Sequence, residues 1–209
     1  MIPYGKQLID NKDIVNVKKT LLSDWLTTGP KVREFEREIE KITKSKYSIA
    51  VNSATSALHL ACLSLNLNKG DYVWTSPNTF VSTANVALLC GAKVDFVDIE
   101  LENYNICIKT LENKLKNTPK KKLPKILIPV HFGGHPCDMK RIYQLSKKYK
   151  FKIVEDASHA LGAKYHGSMI GDCKYSDISV FSLHPVKIIT TGEGGIVTTN
   201  NKNLYHRIK

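Results

Sequence analysis

The chain of 209 residues has no apolar run approaching the roughly 18 residues that a membrane-spanning helix requires. Its first residues, MIPYGKQLIDNKD, reach a charge at Lys6 and hold no apolar leader segment, so no signal peptide is read there. Cysteine is sparse and odd in number, five residues with no C-x-x-C and no clustered Cys/His spacing. A disulfide framework and a metal site are therefore not expected, and a reducing cytoplasm is the expected compartment. Arginine occurs only at positions 33, 37, 141 and 207. Readers of nucleic acid usually carry a basic stripe on one element, or aromatics interleaved with arginine, and neither pattern is present. The net charge of +12 is spread thinly along the chain, apart from Lys120, Lys121, Lys122 and Lys125. Pro119 and Pro124 break that run, which reads as a solvated loop. Neither nucleic acid nor a membrane is expected as a partner. A basic surface would suit a phosphate-bearing small substrate through electrostatic steering. No internal repeat is found. The chain stops at NLYHRIK, a basic helix-like tail with no closing element, and is expected to be a piece of something longer.

What is present is ordinary for a globular domain: 42% hydrophobic and 24% charged residues, in a chain long enough to bury a core. After an extended start, residues 10–23 place Ile14, Val17, Leu21 and Leu22 at helical spacing, with Asp10 or Asn11 as the cap. The loop 24–30 leads to a second helix carrying Val32, Phe35, Ile39 and Ile42. Strand and helix then alternate. Strands are predicted at 47–51, 72–75, 93–97, 125–130, 152–155, 178–182 and 195–199, and helices near 55–66, 80–90, 108–116, 138–149 and from about 203. This order predicts an α/β fold, a mainly parallel seven-stranded sheet with helices on both faces. The runs at 125–130 and 178–182 suit strands buried on both sides. No helix separates the last two strands, so the seventh is expected to run antiparallel.

In such sheets ligands collect at the carboxyl ends of strands. The first strand is followed by Asn52-Ser53-Ala54-Thr55-Ser56, a hydroxyl-rich turn entering a helix, where free N–H groups make an anion site. Alone, it is more simply an N-cap. It is neither a Walker loop nor a dinucleotide fingerprint. The fifth strand ends at Glu155-Asp156-Ala157-Ser158-His159; a buried acid there is costly unless it meets donors or a cation, and it reads equally as a cap. The sixth leads to Ser182-Leu183-His184-Pro185-Val186-Lys187 and then a glycine-rich loop. Burial would lower the lysine's pKa and make its amine a usable nucleophile or base, although singly Lys187 reads as a surface lysine. Together, a phosphate cup, a carboxylate and a reactive lysine at neighbouring strand ends are what pyridoxal phosphate requires. The cup holds the phosphate, the lysine forms the Schiff base, and the carboxylate keeps the pyridine nitrogen protonated.

The segments NSATSALHLA, EDASHALGAKYHG and SVFSLHPVKIITTGEGGIVTTN resemble the sugar aminotransferases of the DegT/DnrJ/EryC1/StrS family, which have the aspartate aminotransferase fold (fold type I). PYGKQLID, SDWLTTGPKVREFE, VDFVDIELENYN and PVHFGGHPCDM narrow the resemblance to members that aminate C4 of a UDP-linked 4-keto-6-deoxy-N-acetyl sugar. The resemblance covers nearly the whole chain. It implies pyridoxal 5'-phosphate as cofactor, glutamate and a UDP-sugar as substrates, and a homodimer in the full-length form. Lys187 matches the lysine that binds the cofactor and moves the proton between cofactor and sugar. Asp156 matches the partner of the ring nitrogen, and His159 the residue near the ring's 3'-oxygen. Ser182, Ala54 and Thr55 match the phosphate cup, and Phe80 the aromatic stacked on the ring. Tyr4 and the segment Asp24, Trp25, Leu26, Thr27 match contacts to the nucleotide sugar, with His184 a further substrate contact. The other histidines (59, 131, 135, 166, 206) read as structural or solvated.

The resemblance also implies a division into residues 1–30, which contribute to the substrate site, and residues 31–209, the cofactor-binding large domain. Family chains are close to twice this length and build their sites between two subunits, so the small C-terminal domain is expected to be lacking and turnover by this chain alone to be poor. Another family member acting on a different keto sugar, or a non-catalytic fragment needing a separate C-terminal half, are the competing readings. Dehydratase members replace the cofactor lysine by histidine, and Lys187 argues against that branch.

Overall fold

The computed structural model describes residues 5–209. The chain opens with α1 (Asn11–Leu21) and α2 (Pro30–Thr43). It then alternates through β1 (Tyr47–Val51), α3 (Ala54–Ser64), β2 (Tyr72–Thr75), α4 (Val81–Leu89), β3 (Lys93–Phe96), α5 (Ile108–Asn117) and β4 (Ile126–Ile128). It continues through α6 (Met139–Tyr149), β5 (Lys152–Asp156), a hairpin of β6 (Lys164–Tyr165) and β7 (Ser168–Met169), then β8 (Ile178–Ser182), β9 (Gly195–Thr199) and α7 (Lys202–Ile208). Seven strands form one sheet in the order β1-β9-β8-β5-β4-β2-β3. β9 pairs antiparallel with both of its neighbours, and the other pairings are parallel, as the strand-and-helix order predicts. β4 is shorter than the apolar run 125–130 suggests, because Pro129 has no N–H with which to continue the ladder.

Alternation along each strand builds two cores. Val73, Ile126, Ile128, Val154, Val180 and Val197 face α3, α4 and α7. Trp74, Leu127 and Ile153 face the other way, in a cluster with Leu111 and Leu115 of α5 and Ile142 of α6, while Phe181 and Ile196 cluster with Ile39 of α2. α3 is apolar nearly all round, and Ala57, Leu58, Ala61 and Cys62 are fully buried in it. Its start is pressed against the sheet at one point. A Cβ on Gly195, the first residue of β9, would lie 2.4 Å from the carbonyl carbon of Ser53 and 2.7 Å from the amide nitrogen of Ala54. Only glycine permits that backbone-to-backbone approach.

Two features differ from expectation. The β6–β7 hairpin turns through His166 (φ 46°) and Gly167 (φ 81°), both left-handed as a two-residue primed turn requires, but its strands are too short for any alternation to show. α1 is capped by Asp10, with Asp13 completing the reciprocal pair, yet none of its residues is buried. Ile14, Val17, Leu21 and Leu22 all stand exposed, as do Val32 and Ile42 of α2. Helical spacing records an apolar face and not what covers it; here only a shallow groove against α2, containing Val17, Leu21, Leu26 and Phe35, meets that face.

Gly195→Ala is expected to lower unfolding free energy by about 1–3 kcal/mol in urea titration, the range for overpacking against atoms that cannot yield. Gly5→Ala, with nothing within 4 Å of the added carbon, should leave the transition in place.

Candidate active site

A cavity of about 340 Å³ opens at the carboxyl ends of the central strands. The starts of α3 and α4, the ends of β5 and β8, and the loop 183–194 all border it. At α3, the Ser53 hydroxyl caps the helix by accepting the Ser56 N–H at 3.1 Å. The N–H groups of Ala54 and Thr55 stand in the first turn, where the helix supplies no acceptor, and both residues line the cavity. The hydroxyl of Thr55 bonds that of Ser82 on α4 at 2.6 Å. Ser182, at the end of β8, completes a ring of hydroxyls and free amides suited to an anion.

Asp156 is the last residue of β5 and is 4% exposed. Its Oδ2 accepts the Thr83 hydroxyl at 2.7 Å, and its Oδ1 accepts both the hydroxyl (2.6 Å) and the N–H (3.2 Å) of Ser158. Thr83 in turn accepts from Thr79, so the start of α4 and the segment before it aim a chain of two hydroxyls at the carboxylate. An ionised carboxylate offers about four acceptor positions. Three are filled, and the residue still borders the cavity.

Lys187 reaches the cavity from a tight turn, its N–H donating to the His184 carbonyl at 2.9 Å. The loop is closed at its base, where Leu183 N–H donates to Gly194 O at 2.9 Å and Thr191 N–H to Leu183 O at 3.2 Å. Lys187 is half-buried between exposed neighbours Val186 and Ile188. Burial lowers its pKa below the ordinary lysine value, with the charge of Asp156 opposing. His159 is lowered too, first by burial and then by the nearby Lys187 cation, again against Asp156. Lys187 and His159 therefore both sense the charge of Asp156.

Beneath the cavity lies a second buried acid. Glu155 points to the opposite face of β5 from Asp156 and accepts from His131 Nε2 at 2.8 Å, from Ser179 at 2.7 Å and from Ser176. Burial pushes Glu155 up, but these donors outweigh it and hold the carboxyl below its usual value. The Cys137 N–H donates to His131 Nδ1 at 3.1 Å. A backbone amide can only donate, so Nδ1 carries the lone pair and Nε2 the proton turned to Glu155. The main chain of His131 also donates to the Asp156 carbonyl at 3.1 Å. One residue thus grips both acids.

Of the residues expected at a site, Ala54, Thr55, Phe80, Asp156, His159, Ser182, His184 and Lys187 all line this one cavity. Phe80, 73% exposed at the start of α4, stands at the rim and is no core aromatic. Asp24, Trp25, Leu26 and Thr27 do not border it; they lie between α1 and α2, with Leu26 on the separate groove there. Tyr4 lies outside the described residues. Sequence reasoning did not single out Ser82, Thr83, Ser158, Glu193 or the partnership of His131 with Glu155. Ser82 and Thr83 sit one and two residues inside α4 in SPNTFVSTAN, a hydroxyl pair at a helix start after a strand.

His131→Ala would leave Glu155 buried without its main donor and is expected to cost about 3–5 kcal/mol in urea unfolding. Because the folded Glu155 has a lowered pKa, its contribution is complete above the ordinary carboxylate range and fades as pH falls through the folded value. Glu155→Gln should therefore flatten the acid limb of a stability-against-pH curve.

Comparison with known proteins places the chain in a family. The model of the DegT/DnrJ/EryC1/StrS aminotransferase family matches residues 7–209. A UDP-4-amino-4,6-dideoxy-N-acetyl-beta-L-altrosamine transaminase of Campylobacter jejuni is 47% identical over all of this chain and 54% of its own length. A UDP-4-amino-4-deoxy-L-arabinose–oxoglutarate aminotransferase of Shewanella sediminis is 39% identical, over 100% of this chain and 52% of its own. Among solved structures, the provisionally named sugar aminotransferase Spr1654 of Streptococcus pneumoniae, in its PLP-form, superposes with a TM-score of 0.89 at 32% identity, over 99% of this chain and 56% of its own. The chain spans about half the length of the relatives it matches. It belongs to the DegT/DnrJ/EryC1/StrS aminotransferase family.

Proposed function

We propose that this chain is the cofactor-binding part of a pyridoxal-phosphate-dependent nucleotide-sugar aminotransferase, moving the amino group of glutamate to C4 of a UDP-linked 4-keto-6-deoxy-N-acetyl sugar. The observation that carries the reading is the meeting of a half-buried lysine, a donor-held aspartate and an open helix N-terminus in one cavity. The residues fit the group. The first turn of α3, with Thr55 and Ser182, would hold the phosphate; Asp156 keeps an acceptor position that a ring N–H could use; and Phe80 at the rim would offer an aromatic face to the ring. The cavity volume lies in the range of small-molecule and cofactor sites. When bound, the cofactor supplies an electron sink for the carbanion left by proton loss.

The remaining chemistry falls to the chain's own groups. Desolvated Lys187 is less costly to deprotonate than an exposed lysine, so its amine is available to take a proton from one carbon and return it to another. Thr83 and Ser158 fix the Asp156 carboxyl in direction, so that it would face a ring N–H. His159 is held mostly neutral by burial and Lys187, and so offers a hydrogen bond at the ring's oxygen without a competing charge. Residues 31–209 form the cofactor domain in this reading, and residues 1–30, with Tyr4 and the segment 24–27, serve the sugar. Support for the particular sugar comes from the 47% identity to the Campylobacter altrosamine transaminase; the 39% identity to the arabinose enzyme favours a different 4-keto sugar as the second reading.

The test is an absorption titration with pyridoxal phosphate, followed by borohydride and peptide mapping. A visible band should form and the reduced cofactor should map to Lys187. The pH at which trapping becomes efficient should lie below the ordinary lysine value. Lys187→Ala should abolish both signals, whereas Lys164→Ala should not, and equal loss in the two would sink the assignment. Asp156→Asn should still bind the cofactor but slow the glutamate-induced spectral change by about a hundredfold or more.

A further inference from the structure

The topology gathers charge that the sequence scatters. β9 is the one strand of the large sheet that runs opposite to the others, so the starts of six strands and the end of β9 share one edge, opposite the cavity. The segments at that edge are residues 44–47, 65–72, 90–93, 117–126, 147–152, 170–178 and 199–202. They contain fourteen lysines, three aspartates, and no arginine or glutamate. Of 31 cationic and 19 acidic residues in the chain, the remaining 17 and 16 nearly cancel elsewhere. This edge therefore holds almost the whole net charge of +12. All of its lysines except Lys125 are exposed. Asp71 pairs with Lys125 at 2.7 Å and Asp177 with Lys152 at 2.9 Å, while Asp172 accepts the Lys174 N–H at 2.8 Å. Little acid is left to neutralise the rest.

Steering substrate into the cavity does not account for this edge. A five-residue strand spans about 17 Å, which is two Debye lengths at physiological salt. The field of this edge is largely screened before it reaches the cavity.

We infer that this edge is a docking face for the surface of an anionic phospholipid bilayer. Seven strands at about 4.8 Å spacing make a row roughly 30 Å wide, built from short connections with no helix or ribbon projecting to enter a nucleic-acid groove. Apart from Arg207 of α7, which donates to the Asn66 side-chain oxygen, its cations are lysines, which act as point charges without the forked pairing by which arginine reads bases. The tyrosines that would stack on bases are already covered: Lys147 lies over Tyr143, Lys148 over Tyr149, Lys174 over Tyr175 and Lys93 over Tyr72. A hollow of about 400 Å³ is lined by Lys147, Lys150, Lys152 and Lys174 and by Asp177, which is already paired with Lys152, and it offers room for a phosphate headgroup beside the other three lysines. Leu88 and Leu89, 56% and 64% exposed at the end of α4 just before Lys93, add an apolar contact at one flank.

The experiment is co-sedimentation of the chain with vesicles of phosphatidylcholine, with and without phosphatidylglycerol, at low and raised salt. Binding is expected only with phosphatidylglycerol and should weaken with salt. Replacing Lys147, Lys148 and Lys150 together by Gln, or Lys120, Lys121 and Lys122 together, should weaken it roughly tenfold or more. Replacing Lys12, Lys18 and Lys19 on α1 removes the same charge away from this edge and should change it far less. Circular-dichroism melts confirm that each variant is folded. Equal binding to neutral vesicles, equal loss in the α1 control, or retention of an RNA oligonucleotide without vesicle binding would each overturn the inference, the last in favour of nucleic acid.

Discussion

Glu155 and Asp156 are consecutive, both nearly inaccessible, and both at the end of one strand. Burying two carboxylates side by side is expensive unless each is met by donors. The strand's alternation sends them to opposite faces, which separates their charges and gives each its own partners. Below the sheet, Glu155 is met by His131, Ser176 and Ser179. On the cavity side, Asp156 is met by Thr83 and Ser158. Because His131 bonds Glu155 with its ring and the Asp156 carbonyl with its main chain, the buried Glu155 helps to fix the height at which Asp156 enters the cavity. Asp156 N–H, bonded to Pro129 O at 2.9 Å, locks the same junction from the other direction.

The opposite wall is set by a steric constraint. Gly195 lets β9 press on the Ser53–Ala54 peptide, and the first turn of α3 is thereby held against the base of the loop that carries Lys187. That loop is closed at its base by the bond from Leu183 to Gly194, the residue before β9, so a shift of β9 would move both the first-turn amides of α3 and the lysine. Acid, amine and amides are thus placed by the sheet, with loop freedom left only to side chains. This is the arrangement in which preorganised groups are most useful, because little rearrangement remains for the ligand to impose.

The seven strands of the large sheet, the helices between them and the antiparallel last strand were legible, since each leaves a local pattern of period or length. Lys187, Asp156 and the Ser53–Thr55 turn were legible for a related reason: each lies at or shortly after the carboxyl end of a strand, where the topology puts it near the cavity. What the sequence hid is pairwise. His131 lies 24 residues from Glu155 and carries no spacing signal, so it read as one more structural or solvated histidine. Thr83 lies 73 residues from Asp156, and a threonine inside a helix looks like filler until the partner is seen. The groove between α1 and α2 was hidden for another reason, because an apolar stripe does not name the surface that meets it.

The basic edge was the least legible feature, and part of it has a local cause. Helices that lead into parallel strands all end at that edge, and their negative dipole ends favour lysine in the last turn. Lys147, Lys148 and Lys150 at the end of α6, and Lys44 at the end of α2, fit that account. It does not reach Lys120, Lys121 and Lys122, which follow α5 beyond Pro119, nor Lys174, which precedes β8 with no helix before it. Nor does a dipole explain the missing acids, since an exposed carboxylate between such lysines would relieve repulsion that otherwise works against the compact state. One or two lysines per helix are a matter of helix chemistry. Fourteen lysines with three aspartates, two of them already in ion pairs, amount to a charged surface left without its counter-charge in this chain.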